Sequence, residues 1–101
     1  MIKEYNKPQN IVYITCHKVA IDLGFNIFKE DIDGGEIKFK VPMSIWSFGE
    51  KFKILITQIN QSKTTVEVAS DAVVGLQIID WGKNNKNIMK FFETLNNMLE
   101  K

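Results

Sequence analysis

At 101 residues with 45% hydrophobic content, the chain is long enough to bury roughly two-thirds of its unfolded surface in one core. Lys+Arg of 13 against Asp+Glu of 12 leaves a formal charge of +1, too weak a global field to steer a polyanion. All 13 cations are lysine. Without arginine's bidentate fork, sequence-specific nucleic-acid reading and phosphoryl transfer are not expected, and the single cysteine, Cys16, excludes an internal disulfide and any multi-thiolate metal site.

Taken in chain order, Ile2 to Tyr5 reads as a short strand. Asn6, Lys7, Pro8 and Gln9 then have the form of a helix start, with a capping side chain, a proline in the first turn and a glutamine three residues after the cap. Val12, Cys16, Val19, Ala20 and Leu23 recur at helical spacing and Gly24 is the C-terminal stop, which predicts a first helix over Lys7 to Leu23. The period then switches. Phe25 and Ile27, and after them Ile37, Phe39 and Val41, alternate with polar residues around Asp31-Ile32-Asp33-Gly34-Gly35-Glu36, whose Asp-Gly signals a tight hairpin. Glu50 to Ile59 alternates through Phe52, Ile54 and Ile56, and Gln61, Ser62 and Lys63 turn the chain into Thr65 to Ser70. Connections this short require antiparallel neighbours.

From Lys83 onward the period returns to about 3.6, with Ile88, Phe91, Phe92, Leu95, Met98 and Leu99 on one face and Lys90, Glu93, Asn96, Asn97 and Glu100 on the other. No repeat, low-complexity tract or linker interrupts the chain, so residues 1–101 are read as one domain. The expected fold is α+β: a two-layer sandwich in which an antiparallel four- to five-stranded meander is packed by two helices, in helix-grip-like order β-α-β-β-β-β-α.

Chemistry-bearing residues are sparse. Cys16 and His17 are a nucleophile and a base, but neighbours on a helix point about 100° apart and do not face each other; the reading is a core cysteine beside a surface histidine. Glu30, Asp31, Asp33 and Glu36 overlap the start of a calcium loop but lack its third ligand position and its distal glutamate, so a solvated turn is expected. Asp22, Asp71 and Asp80 are too isolated to form an acid/base pair. No catalytic residue, metal ligand or cofactor site is assigned.

Two stretches are candidate binding surfaces. In Ser44-Ile45-Trp46-Ser47-Phe48-Gly49, alternation places Trp46 and Phe48 on one face, either as further rungs of the core or as a hairpin tip that grips a partner or apolar ligand. Lys83, Lys86 and Lys90 recur at helical spacing around the start of the second helix, where cations oppose the helix dipole; a solvated face is the default and an anion-binding surface the sharper reading. Between them, Asp80, Trp81 and Gly82 form a structural junction in which Trp81 plugs the end of the helix–sheet interface.

The Ile21-Asp22-Leu23-Gly24-Phe25 helix end, the Ser44 to Glu50 turn and the Gln77-Ile78-Ile79-Asp80-Trp81-Gly82-Lys83-Asn84-Asn85-Lys86-Asn87-Ile88 block resemble a widespread family of small, uncharacterised prokaryotic domains. The element order is similar to the helix-grip domains of the lipoprotein C component of the bacterial barrel-assembly machinery, from which this sequence departs by lacking a lipoprotein signal and its cysteine. The resemblance implies a fold and no activity.

The functional expectation is a non-catalytic binding or protein-interaction module. The alternative is a small carrier of an apolar ligand held between the C-terminal helix and the sheet, with Met89, Phe91, Phe92, Met98 and the Trp46/Phe48 turn lining the groove. The partner is an unidentified protein or a small apolar ligand, and a homo-oligomer is compatible with the composition. One cysteine, no apolar stretch of signal-peptide length and no run of about eighteen apolar residues lead to the expectation of a cytoplasmic protein that does not span a membrane.

Overall fold

The computed structural model describes residues 2–41, 51–70 and 86–100. Strand β1 (Ile2–Tyr5) is followed by helix α1 (Gln9–Asp22), strands β2 (Asn26–Asp31), β3 (Glu36–Lys40), β4 (Lys51–Asn60) and β5 (Lys63–Ser70), and helix α2 (Lys86–Leu99). The strands form one antiparallel sheet in the order β1-β5-β4-β3-β2. Strands β2 to β5 are the meander that the turn signals predict, and β1 adds to the far edge beside β5. Helix α1 therefore links the two opposite edges of the sheet.

Both helices lie on one face. From α1, Val12, Tyr13, Cys16, Val19 and Ala20 are buried; from α2, Ile88, Phe91, Phe92, Leu95 and Leu99; from the sheet, Ile37, Phe39, Phe52, Ile54, Ile56, Val66 and Val68. Aromatic rings tie the layers together. Phe39 stacks on Phe25 at 4.8 Å, on Phe52 at 5.4 Å and on Phe91 at 6.0 Å, while Phe92 meets Phe91 edge-on at 5.7 Å. This is the expected two-layer α+β sandwich, and none of its described helices is long and apolar enough to cross a membrane.

The start of α1 differs from the expectation. Pro8, and not Asn6, occupies the cap position, and it offers no side-chain acceptor. The cap is tertiary instead: the Gln9 backbone N–H donates to Gln58 Oε1 at 3.0 Å, and Gln9 Nε2 donates to the Ile56 carbonyl at 2.8 Å. At the other end Gly24 adopts φ +80, its N–H bonds the Ile21 carbonyl at 3.0 Å and the Phe25 N–H bonds the Ala20 carbonyl at 2.9 Å. These two bonds are the Schellman closure that a glycine in this conformation allows.

Cys16 is fully buried, as expected, and burial pushes its thiol pKa well up. A neutral thiol without access to solvent is a poor nucleophile. In the native protein a water-soluble thiol reagent should therefore label Cys16 at least tenfold more slowly than in urea, by roughly the ratio expected for a closed core. Equal rates would remove Cys16 from the core.

Candidate functional site

Of the candidate surface residues, Lys86 and Lys90 lie one turn apart on α2, both exposed on the helical side of the molecule. Trp46, Phe48, Asp80, Trp81, Gly82 and Lys83 lie outside the described residues. The acidic run is dispersed onto separate partners. Asp31 accepts the Gly34 N–H at 3.0 Å, Glu36 pairs with Lys29 at 3.7 Å, and Glu30 turns to α1, where it accepts the Tyr13 hydroxyl at 3.1 Å and faces His17 at 3.4 Å. No metal-binding cluster forms among the described residues. Burial, then Glu30, pushes the Tyr13 hydroxyl pKa up to about 12. His17 therefore faces a surface carboxylate across an element, and not Cys16, which points into the core.

The described part of the α2–sheet interface is filled by Phe39, Phe52, Phe91 and Phe92, and Met89 is exposed. A depression of about 390 Å³ lies elsewhere, where Glu4, Tyr5, Asn6 and Lys7 meet Leu99 and Glu100. Its wall is held by Tyr5, whose hydroxyl donates to Asn96 Oδ1 at 2.5 Å, and by buried Thr64, whose hydroxyl donates to the Lys7 carbonyl at 2.7 Å. Asn96, which helical spacing assigns to the polar face, thus has a structural partner.

The most unusual arrangement is on the opposite face of the sheet, where no described element packs. Alternation from the buried Ile37, Phe39, Phe52 and Ile54 sends Lys38, Lys40, Lys51 and Lys53 outward. Register then aligns them. Lys29 is opposite Lys38, and Lys38 is opposite Lys53, giving one lysine row across three strands; Lys40 is opposite Lys51, giving a second row beside it. A bulge in β2 between Ile27 and Lys29 completes the set. It admits one extra residue, so that Phe28 and Lys29 both face outward while Glu30 is returned to the helical side. Phe28 is 51% exposed, with Lys51 Nζ 5.6 Å from the centre of its ring. The next row along carries Asp31, Glu36, Leu55 and Glu67, so the face is acidic on one side and basic on the other.

Directly opposed like charges destabilise a sheet, because the side chains start only about 4.5–5.5 Å apart at Cβ. The signal is present in the sequence as two Lys-x-Lys pairs in phase with apolar residues, but their convergence depends on register across three strands.

No protein-family model matches the chain, and no curated protein does. Among solved structures, a chain of the adenylate sensor from AMP-activated protein kinase, in complex with 5-aminoimidazole-4-carboxamide 1-β-D-ribofuranotide (ZMP), superposes with a TM-score of 0.71 over 92% of this chain and 93% of that chain, at 7% sequence identity. At that identity the likeness is one of fold.

Proposed function

We propose that this chain is a non-catalytic interaction module that engages an anionic partner through the lysine-bearing face of its sheet. The observation that carries the reading is the pair of lysine rows: Lys29, Lys38 and Lys53 in one, Lys40 and Lys51 in the other. Lys40 and Lys51 face each other across the β3–β4 pair; repulsion between them costs the isolated domain stability, and an anionic partner would relieve it. The chemistry seen elsewhere fits a binding role, since Cys16 is sealed in the core and His17 is paired with Glu30. The fold shared with a chain of an adenylate-sensing assembly is compatible with a module that binds and does not catalyse.

Thermal denaturation tests the premise. A Lys40→Gln/Lys51→Gln/Lys53→Gln variant should melt no lower than the parent at about 20 mM salt, and the parent's Tm should rise toward the variant's as salt is raised to about 500 mM, because surface repulsion is screened. A variant that melts several degrees below the parent would show that the lysines serve the fold, and the reading would fall.

A further inference from the structure

The depression bounded by Glu4, Tyr5, Asn6, Lys7, Leu99 and Glu100 has a volume of about 390 Å³, within the range of small-ligand clefts. It lies at the end of the sheet where Tyr5 pairs with Thr64 and Asn60 with Lys63. Two helix ends meet there. Lys7, half-buried, stands just before Pro8, the cap residue of α1, and Glu100, exposed, directly follows Leu99, the last residue of α2. Glu4 is engaged by Lys63 Nζ at 3.5 Å, whereas neither Lys7 nor Glu100 forms an ion pair among the described residues. We infer that this depression is a site for a small zwitterion of the amino-acid class, with Lys7 taking its carboxylate and Glu100 its ammonium group.

The placement of the two charges favours this ligand over a simple ion. A helix is positive at its N-terminus and negative at its C-terminus. Lys7 therefore stands at the positive end of α1 and Glu100 at the negative end of α2, and the described first turn of α1 has no acidic residue, nor the last turn of α2 a basic one, to offset them. Each charge is set against its own helix. A molecule that bears both a carboxylate and an ammonium group meets both, each of its charges facing a side chain together with the helix end that reinforces it. An anion alone would gain at Lys7 and lose at Glu100, and a cation would do the reverse. The rest of the wall suits a small organic molecule. Leu99 supplies apolar contact, Asn6 an amide that both donates and accepts, and Tyr5 a fixed side, because its hydroxyl donates to Asn96 Oδ1 at 2.5 Å. Glu100 is felt at that wall: burial, then Cys16 and Glu100, push the Tyr5 hydroxyl pKa up. None of Lys29, Lys38, Lys40, Lys51 and Lys53 lines the depression, so the site is separate from the lysine rows.

Amide-resolved NMR titration of the whole chain at about 20 mM salt, where surface charges are least screened, tests the inference. The probes are leucine, whose two charges flank one carbon, and 6-aminohexanoate, whose charges are held farther apart; acetate and ethylamine are the single-charge controls. At least one zwitterion should bind with a Kd at or below about 1 mM, shifting the amides of Lys7, Leu99 and Glu100, and each control should bind at least tenfold more weakly. The tighter of the two zwitterions reads the separation of the charges. Lys7→Gln and Glu100→Gln should each weaken its binding at least fivefold, while each variant without ligand melts no lower than the parent, since the charge removed opposes its helix. The Lys40→Gln/Lys51→Gln/Lys53→Gln variant should bind within about twofold of the parent, as expected for charges beyond a Debye length; this result keeps the site's fate apart from that of the lysine-bearing face. Failure of both zwitterions to bind, or a single-charge control bound as tightly as they are, would overturn the inference. So would undiminished binding in Lys7→Gln or Glu100→Gln, or a fall of several degrees in the Tm of both variants, which would show that the two charges serve the fold.

Discussion

Replacing Phe39 by alanine should remove about 4 kcal/mol of stability, near the middle of the range for large aromatic truncations in a core. Phe39 is on the central part of the sheet, is almost fully buried and touches Phe25 at the end of α1, Phe52 on the neighbouring strand and Phe91 on α2. Its ring is thus shared by the sheet, the turn that follows α1 and helix α2, and the void left behind would be bounded by three other rings that cannot all collapse into it. A small domain is stable by only about 5–15 kcal/mol, so the loss corresponds to a fall in Tm of roughly 15–30 °C. Phe92→Ala should cost about 3 to 5 kcal/mol for similar reasons, with the added loss of the contact made by Lys3 Nζ, 6.0 Å from that ring. Urea denaturation measures both. A loss under about 1 kcal/mol for Phe39→Ala would mean that the stack does not join the layers.

The elements legible in the sequence are those whose residues carry their own periodicity. Helix α2 is the clearest case, because Ile88, Phe91, Phe92, Leu95 and Leu99 form an unbroken stripe, and all five are buried. Strands β3 and β4 are legible through Ile37, Phe39, Phe52, Ile54 and Ile56 for the same reason. Features that depend on partners far along the chain are not. Asn6 has the right chemistry for a cap at the start of α1, whereas the acceptor used, Gln58, comes from a strand 49 residues away. Helical spacing alone does not place Tyr13 in the core, because a phenol needs a partner when buried, and that partner, Glu30, reaches α1 only through the β2 bulge.

The candidate surface is hidden in the same way. A Lys-x-Lys pair beside a period-two apolar run reads as an ordinary solvated strand face, and only the pairing of β2, β3 and β4 brings five such side chains together. Lys83, Lys86 and Lys90 stand out in the sequence instead, because their clustering is local and visible in a helical projection. The inferred binding face is therefore a tertiary property, whereas the fold class is nearly a local one.

The hairpin that carries the first lysine row is closed by Gly35, and Gly35→Ala should cost about 2–5 kcal/mol, the sum of a conformational and a steric effect. Gly35 has φ +68, a left-handed conformation that costs a residue with a Cβ about 1–2 kcal/mol. A Cβ at that position would lie 2.2 Å from the Ile56 carbonyl oxygen and 2.8 Å from Gln9 Nε2, so backbone must move. The movement acts on two hydrogen bonds, the 2.7 Å bond from the Ile56 N–H to the Gly35 carbonyl and the 2.8 Å bond from Gln9 Nε2 to the Ile56 carbonyl, each worth about 0.5–1.5 kcal/mol. Two other glycines separate these effects. Gly24 has φ +80, but an added Cβ there would meet nothing within 4 Å, so Gly24→Ala should show the conformational cost alone, about 1–2 kcal/mol. At Gly34 the close atom is Asp31 Oδ2, 2.6 Å away at the end of a side chain that can swing into solvent, so Gly34→Ala should cost about the single hydrogen bond that Asp31 makes, roughly 1 kcal/mol. The order Gly35 > Gly24 ≥ Gly34 in urea-derived stabilities is the expected result. If Gly35→Ala proves no more costly than Gly24→Ala, the β2–β3 turn is not locked against β4, and the registry that aligns the lysine rows would lose its anchor.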